Sequence, residues 1–439
     1  MSAKAALDRL HRDTPEEAKA RRAKHDKRIR RRLALAWGLL VLNVLTFYPR
    51  TWDGAPLTLP IPGSVGKLLT QGALPLALLV VLSVNRRLVI RPNGFLCIVS
   101  LLVVGALMAT AQPEHLGTVY RTIRLALFCV TLWMFSPWWG RRDMLIVRLY
   151  LTGLTIILGI VLLGIPISPH EAFSQGRLAG TIWPFPPTDV AHFSAVLVGS
   201  VVVLWFGGVI SGRRAALFAV VGTAILLLSH TRTALVAMLA GLLIAGLSLV
   251  IARARVRKAF VAVVLVVAVG AVAFSSVVVT WLARGEGTQQ LTNLTGRTSV
   301  WGLVLTVPRD RYQDIFGFGL SNKSFNGLPI DSNWLAAYLD LGLFGVAVCA
   351  AILVFLLSRA CLHPRGTERA LALFLITYCL ISSFTETGLS DASPYLLDLT
   401  VAASVLVQPV ALRTRAVLGA PDKVKLAPSV PLVTEEVLS

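Results

Sequence analysis

Residues 334–358 read WLAAYLDLGLFGVAVCAAILVFLLS, an apolar stretch that contains a single charged side chain, Asp340. A helix needs about 20 consecutive apolar residues to cross the hydrocarbon core of a bilayer, and this stretch is long enough. Similar runs recur along a chain that is 55% hydrophobic and 15% charged, with a mean hydropathy of +0.73. Soluble domains carry about 25% charged residues. The sequence therefore predicts an all-α, polytopic membrane helical bundle.

We predict about twelve transmembrane helices from the positions of these runs. They lie near residues 34–49, 67–84, 94–111, 121–138, 146–165, 190–211, 214–229, 232–252, 259–282, 334–358, 369–385 and 394–411. This assignment divides the chain into a basic cytoplasmic N-terminal segment (1–33), a transmembrane domain (34–411) and a disordered cytoplasmic tail (412–439). The composition of 13–32 predicts a basic helix that continues into the first span.

The distribution of positive charge predicts the orientation. The chain carries 42 Lys and Arg residues and a net charge of +20. Most of these residues fall on one side if the N-terminus is cytoplasmic, because alternate short loops are basic, including 86–91, 141–142, 213–214 and 253–258. An excess of Lys and Arg marks the cytoplasmic side of a membrane protein. We therefore interpret the charge as an orientation signal that also attracts anionic lipids, with no nucleic acid as partner. Both termini are expected in the cytoplasm.

Two predicted extracytoplasmic loops are long, at about 166–189 and 283–333. Long loops are usually functional, which places candidate chemistry on the outer face. The first loop contains Arg177 and Gly180 among several prolines, a composition typical of a compact shaped loop. The second contains Arg297 and Trp301. Each arginine fits two interpretations, contact with lipid phosphates at the membrane surface or binding of a substrate phosphate through its planar fork.

Further polar residues lie at the outer ends of predicted helices. Arg232 begins the eighth helix and fits the same two interpretations, and His230 before it fits a turn residue or a base. Asp340 lies about 9 Å inside the tenth helix at 1.5 Å per residue. A carboxylate at that depth requires a partner, for which we expect an external arginine. Glu386 and Asp391 are acids on the same side.

The order of these elements resembles the O-antigen ligase and polymerase superfamily of bacterial polysaccharide assembly over about residues 170–350. The matching elements are Arg177 with Gly180, Arg232-Thr233-Ala234, Gly296-Arg297 with Trp301, Gly317-Phe318-Gly319, and Ser332-Asn333 before Leu339-Asp340-Leu341-Gly342-Leu343-Phe344-Gly345. The chain departs from the ligase pattern at two positions. Ser332 stands where ligases usually have histidine, and Asp340 replaces the usual glutamate.

The resemblance implies an inverting, metal-independent glycosyltransferase of the inner membrane that uses a polyprenyl-diphosphate-linked glycan donor such as undecaprenyl diphosphate. It would transfer the glycan to an acceptor hydroxyl, as a ligase or a polymerase, with no cofactor. Arg177, Arg232 and Arg297 would bind the leaving diphosphate. Asp331 is the first choice of catalytic base, followed by His230 and Asp189. The supporting residues are Asn333, Asp340, Gly180, Trp301 and Glu386.

Two other classes of protein remain open at this point. A membrane transporter or flippase for a lipid-linked or anionic solute would show ionisable residues near mid-membrane and helices broken near their centres. In the sequence, the charges instead concentrate at the outer ends of the predicted spans. The third class, a non-enzymatic membrane scaffold, would not explain why the two external loops are long and compact.

Overall fold

A computed structural model gives the architecture of the chain. It describes residues 15–47, 63–111, 116–141, 143–174, 176–250, 257, 297–325 and 328–407. The chain divides into two units, Met1–Val407 and Gln408–Ser439, and the second lies outside the described residues. So do the predicted helix at 259–282 and the predicted disordered tail at 412–439.

The described part of the chain is mostly helical, with two short hairpins. Up to Val250 it contains α1 (Pro15–Val44), α2 (Gly63–Val84), α3 (Gly94–Ala109), α4 (Leu116–Phe135), a 3-10 turn (Ser136–Trp138), α5 (Leu145–Ile167), the single turn α6 (Pro169–Ala172), β1 (Phe173–Ser174), β2 (Arg177–Leu178), α7 (Pro187–Phe206), α8 (Gly212–Leu228) and α9 (Arg232–Val250). From Arg297 it contains α10 (Arg297–Thr306), α11 (Arg311–Phe316), β3 (Ser324–Phe325), β4 (Leu328–Pro329), α12 (Asn333–Leu362), α13 (Thr367–Ser382) and α14 (Pro394–Val405). β1 pairs with β2 and β3 pairs with β4, both antiparallel.

Every predicted span that falls on described residues coincides with a helix, and α1 is the expected continuous helix through the basic segment. Within the described residues, six helices are long and apolar enough to cross a membrane, namely α2, α4, α5, α7, α9 and α12. The helices α3 and α14 are apolar but shorter. The chain is therefore a multi-pass membrane protein, and the count of about twelve spans stays a prediction.

The two long predicted loops contain more secondary structure than the sequence indicated. The first predicted loop, 166–189, contains the single turn α6 and the β1–β2 hairpin. The described part of the second, from Arg297 onward, contains two short helices and the β3–β4 hairpin. These elements satisfy part of the backbone hydrogen bonding of the described loop residues.

Helix α7 lies at the centre of the bundle. Its most apolar window is 78% buried, against 28% for α2 and 44% for the other membrane-crossing candidates. It packs against α8, α9, α13 and α5. The ring of Phe374 on α13 occupies the space beside Gly199 on α7 and Gly241 on α9, where an added Cβ would overlap it. Small residues at these two positions allow the three helices to approach closely.

A cluster of polar side chains is buried inside the bundle between α5, α7, α13 and α14. His192 Nε2 lies 3.2 Å from Asp398 Oδ2, and the Tyr378 hydroxyl lies 3.3 Å from His192 Nδ1. The Tyr150 hydroxyl donates to the other carboxylate oxygen of Asp398. All four side chains are at most 3% exposed. The sequence analysis did not identify this cluster, because a single His or Asp in an apolar run carries no spacing signal.

Candidate functional site

One end of the bundle carries the two hairpins and most of the predicted site residues, and we call it the loop-bearing end. Here α5 leads through β1–β2 into α7, α8 turns into α9, and α13 leads into α14 through residues 383–393. We call residues 383–393 the connecting segment. Hydrogen bonds described below join these stretches, so residues that are distant in sequence meet at one place.

The β1–β2 hairpin positions Arg177. Ser174 pairs with Arg177 across a two-residue turn, whose Gly176 has a φ of +70° that suits glycine. The Arg177 guanidinium donates through Nε to the Ser229 carbonyl, at 3.1 Å, and through Nη2 to the Thr231 hydroxyl, at 3.1 Å. Ser229 is the C-cap of α8, so the cation also lies at the negative end of a helix dipole. Arg177 therefore joins the first loop to the α8–α9 turn.

Gly180 allows the chain to fold tightly after the hairpin. Its N–H donates to the Phe185 carbonyl at 3.1 Å, and an added Cβ would lie 2.9 Å from the Phe185 nitrogen. Trp183 in the same turn donates through its indole to the Thr46 carbonyl at 3.0 Å. The Arg177-x-x-Gly180 element is thus a compact unit that holds its arginine against the α8–α9 turn.

The α8–α9 turn positions Arg232 at the start of α9. His230 has a φ of +49°, the left-handed conformation that ends α8 and reverses the chain, and its N–H donates to Leu227. The Nε and Nη2 atoms of Arg232 are buried. The next residue, Thr233, accepts a hydrogen bond from Thr385 at 2.9 Å. Arg232 therefore stands in the chain between Thr231, which Arg177 contacts, and Thr233, which contacts Thr385 in the connecting segment.

Asn333 fixes the middle of the connecting segment. Its side-chain oxygen accepts from the N–H groups of Gly388 and Leu389, at 3.3 and 2.8 Å, and its own N–H donates to Ser383 at 2.9 Å. Trp334 donates to the Ser383 hydroxyl at 3.1 Å. A buried non-helical segment needs such partners for its backbone. Asn333, a predicted supporting residue, thus links α12 to the connecting segment.

The Gly317-Phe318-Gly319 element donates hydrogen bonds to carbonyl groups at a break in α12. Gly342 has a φ of +62° inside that helix, which interrupts its regular hydrogen bonds. The N–H groups of Phe318 and Gly319 donate to the Leu339 and Asp340 carbonyls, at 2.9 and 2.8 Å, which the break leaves available. Gly317 and Gly319 also have positive φ values of +73° and +93°. Two separate sequence motifs therefore form one local structure.

Asp340 is fully buried, as its position predicts. Its partner is Lys323, so the prediction of an arginine partner is wrong. Lys323 Nζ contacts Oδ2, and the Ser321 N–H donates to Oδ1 at 3.2 Å. Arg121 on α4 donates to the Ser321 carbonyl at 2.6 Å. Arg121 is thus linked to Asp340 only indirectly, through Ser321 in the 321–323 loop. The pairing explains how a carboxylate is tolerated so far inside a membrane helix.

The three candidate bases have different surroundings. Asp189, in the first turn of α7, accepts from the Thr46 hydroxyl at the end of α1. His230 forms the left-handed turn between α8 and α9. Asp331 is half-buried and lies two residues before Asn333, at the entrance to α12. Asp189 therefore forms a hydrogen bond with the segment after α1. Asp331 lies two residues before Asn333, which binds the connecting segment.

The third predicted arginine begins α10, and its side chain lies outside the described part of the structure. Arg297 is the first residue of that helix, Gly296 lies outside the described residues, and Trp301 is half-buried. Val300 and Val304 of α10 pack with Ala336 and Leu339 of α12. The helix that starts at Arg297 is thus held against the first turns of α12. Whether its side chain meets Arg177 and Arg232 stays a prediction.

Two arginines at this end escaped the sequence analysis. Arg124 on α4 donates through Nη2 to the Asn43 and Ala392 carbonyls, both at 3.0 Å, and so contacts the connecting segment. Arg121 lies one turn earlier and contacts the 321–323 loop. The available signal was two arginines three residues apart at the start of an apolar run, which places them on one helix face. Both residues lie in the predicted span at 121–138, and no role was predicted for them.

The described residues contain no group of three or more His, Cys, Asp or Glu side chains arranged to hold a metal ion, and the metal-independent chemistry stays a prediction. No protein-family model and no curated protein matches this chain.

Proposed function

We propose that this protein transfers or polymerises glycans from a polyprenyl-diphosphate-linked donor onto an acceptor hydroxyl. The reaction would take place at the outer face of the bacterial inner membrane, which about twelve spans would cross with both termini in the cytoplasm. Residues that are distant in sequence and that match the ligase and polymerase pattern meet at the loop-bearing end, and this convergence is the observation that carries the proposal.

The contacts that support it run from one motif to the next. Arg177 contacts the turn that precedes Arg232, and Thr233 contacts Thr385 in the connecting segment. Asn333 contacts the same segment at Gly388 and Leu389. Arginines that only bind lipid headgroups do not need to come from segments that contact each other. Arginines that form one binding site must come from segments that do.

In the proposed reaction the arginines stabilise the leaving group. The bond between the sugar's anomeric carbon and the phosphate oxygen breaks, and the acceptor oxygen forms a new bond to that carbon with inversion. Negative charge develops on the lipid diphosphate, where Arg177, Arg232 and Arg297 would supply charge-assisted hydrogen bonds. Asp331 takes the acceptor hydroxyl's proton, because it is half-buried at the entrance of α12, two residues before Asn333.

A second candidate function, transport or flipping of a lipid-linked solute, is favoured by two specific observations. Helix α12 is broken at Gly342, and the His192–Asp398 pair is buried inside the bundle. Broken helices and interior ionisable groups are common in transporters. Both features have structural roles here: the Gly317–Gly319 turn fills the break, and Asp398 also accepts from Tyr150.

The two functions predict substrate on opposite leaflets when the gene is deleted. A missing transferase leaves the lipid-linked glycan on the outer leaflet, where an impermeant oxidant of sugars modifies it in spheroplasts. A missing flippase leaves it on the inner leaflet, protected until the membrane is permeabilised. Protected substrate would contradict the glycosyltransfer proposal, and so would failure of any lipid-linked glycan to accumulate.

Complementation of that deletion distinguishes the residues. Arg177→Lys and Arg232→Lys keep the charge but lose the bidentate fork, so we expect substrate to remain accumulated. Arg148→Lys is the matched control, because Arg148 is an exposed arginine on α5 outside the motifs, and it should restore wild-type levels. Asp398→Asn should also complement, whereas a proton-coupled transporter would lose function.

A further inference from the structure

A second group of positive charges at the loop-bearing end has no role in the proposal above. Arg121 and Arg124 lie on α4, about 7 and 12 Å along the axis from its first residue, Leu116, at 1.5 Å per residue. Arginine inside a membrane-crossing helix is costly, and such residues usually face the protein interior and serve a function. These two arginines therefore call for an explanation of their own.

The contacts of both arginines point into the protein rather than toward lipid. Arg121 donates to the carbonyl of Ser321 in the 321–323 loop, and Arg124 donates to carbonyls of Asn43 and Ala392. A side chain that reaches for headgroups would leave the protein surface instead. Both residues are half-buried, so part of each side chain remains accessible.

Neither arginine forms an ion pair with a carboxylate within 4 Å among the described residues. Asp340 is paired with Lys323, and Asp391 is the chain neighbour of Ala392, which Arg124 contacts. The Asp391 carboxylate accepts from the Ala392 N–H at 2.7 Å. Two arginines on one face of α4 carry one positive charge more than this single carboxylate offsets, and a bound anion would compensate that charge. Guanidinium forks suit the oxygens of a phosphate group.

The pair is separate from Arg177 and Arg232. Helix α4 packs against α2 and α3, whereas α9, which begins at Arg232, packs against α7 and α13. Thr233, the neighbour of Arg232, bonds to Thr385 near the start of the connecting segment, and Arg124 bonds to Ala392 near its end. The connecting segment thus runs from the start of α9 to α4, and the two arginine groups lie on different elements.

We infer that Arg121 and Arg124 form a second anion site, which binds a phosphate group carried by the acceptor glycan. The inference rests on the proposed function, because a transferase must hold an acceptor as well as a donor. It narrows that function to a phosphorylated acceptor, such as a second lipid-linked glycan. A phospholipid headgroup offers the same phosphate chemistry, and the experiment separates the two sources.

The test measures how many molecules of farnesyl diphosphate bind the purified full-length protein by calorimetry, in nanodiscs of zwitterionic phosphatidylcholine. We expect two molecules per chain for the wild type. Arg121→Gln/Arg124→Gln should weaken one site at least about tenfold, because the charge is lost while the amide can still donate to the carbonyls. Arg177→Gln/Arg232→Gln should remove the other. Arg148→Gln, an exposed arginine on α5, is the control and should retain two.

Each outcome decides a different claim. One molecule bound by the wild type, lost in Arg177→Gln/Arg232→Gln but not in Arg121→Gln/Arg124→Gln, overturns the second site and leaves the proposed function intact. If the wild type binds one molecule and only Arg121→Gln/Arg124→Gln loses it, the result supports the α4 site and contradicts the donor site. Two molecules in every variant, or none in the wild type, contradict both.

Two further measurements separate the lipid and folding explanations. Nanodiscs that contain anionic phosphatidylglycerol should leave both sites available, and displacement from the α4 site alone would assign it to lipid headgroups and overturn the acceptor. The single variant Arg121→Gln loses only the contact with Ser321, so it should fold, with a gel-filtration profile and unfolding temperature near wild type. It should still bind at the α4 site about fivefold or more weakly. Unchanged affinity in this folded variant would overturn the inference.

Discussion

Exposed arginines at one end of the bundle and half-buried arginines at the other serve different purposes, although the sequence presents them alike. At the end with short loops, the exposed arginines include Arg86, Arg87, Arg213, Arg214, Arg359 and Arg365, while Arg91 is half-buried and donates to the Trp139 carbonyl at 2.9 Å. At the loop-bearing end, Arg121, Arg124, Arg177 and Arg309 are half-buried and each donates to at least one backbone carbonyl. The exposed group has the position along the chain that the predicted orientation signal requires. The second group joins segments that are distant in sequence.

The largest expected effect is on the free energy of unfolding, when a buried ion pair at the loop-bearing end, Lys323–Asp340, is broken. Lys323→Met leaves a fully buried carboxylate without its partner, which costs about 3–5 kcal/mol of unfolding free energy. Thermal unfolding of the detergent-purified protein, calibrated by chemical denaturation, measures it. The double variant Lys323→Met/Asp340→Leu removes both charges and should recover most of the loss. If the single variant were as stable as wild type, Asp340 would not depend on this loop.

The next largest effect is on transfer. Arg232→Lys should lower the rate of glycan transfer by about 10²–10³-fold, the usual loss when one donor to a developing anion is removed. Arg214→Lys at the short-loop end is the matched control, and its rate should stay within about twofold because the side chain is exposed. Equal losses in the two variants would show that only total charge matters, and the distinction between the two ends would fail.

A smaller effect is expected at the break in α12. Gly342→Ala places a side chain in the left-handed conformation, where its Cβ would meet the backbone of Ile315, so we expect a loss of about 2 kcal/mol. Gly72→Ala in α2 is the control, since a Cβ there meets nothing within 4 Å and helix propensity rises. Chemical denaturation of both variants measures the difference. A neutral Gly342→Ala would indicate that α12 can run unbroken.

The smallest expected effect is at the exposed arginines. Arg86→Gln and Arg213→Gln should change the unfolding free energy by no more than about 0.5 kcal/mol, because neither side chain is buried. Their contribution is to orientation, which cysteine labelling detects in a background without native cysteines. Leu328→Cys on the exposed β3–β4 hairpin should react with an impermeant maleimide on intact cells, and Arg365→Cys should react only after permeabilisation. The reverse pattern would invert the predicted topology.

The same contrast explains what could be predicted from the sequence. Helix positions follow from local runs of apolar residues, so every predicted span on described residues coincides with a helix. The break at Gly342 depends on the Gly317–Gly319 turn packing against it, which is a tertiary contact without a local signal. The Lys323 partner of Asp340 was missed for the same reason. The contacts of Arg124 were not predicted either, because its carbonyl partners lie far away in the chain.

Transfer by the purified protein tests the central claim most directly. The full-length chain, reconstituted in nanodiscs, would receive a polyprenyl-diphosphate-linked oligosaccharide and an acceptor glycan in the presence of EDTA, and mass spectrometry would follow the products. We predict a longer glycan and free polyprenyl diphosphate in equal amounts, with no need for added magnesium, and little product from Arg177→Lys or Arg232→Lys. Absence of product from a folded wild-type protein, or activity that appears only when magnesium is restored, would contradict the account.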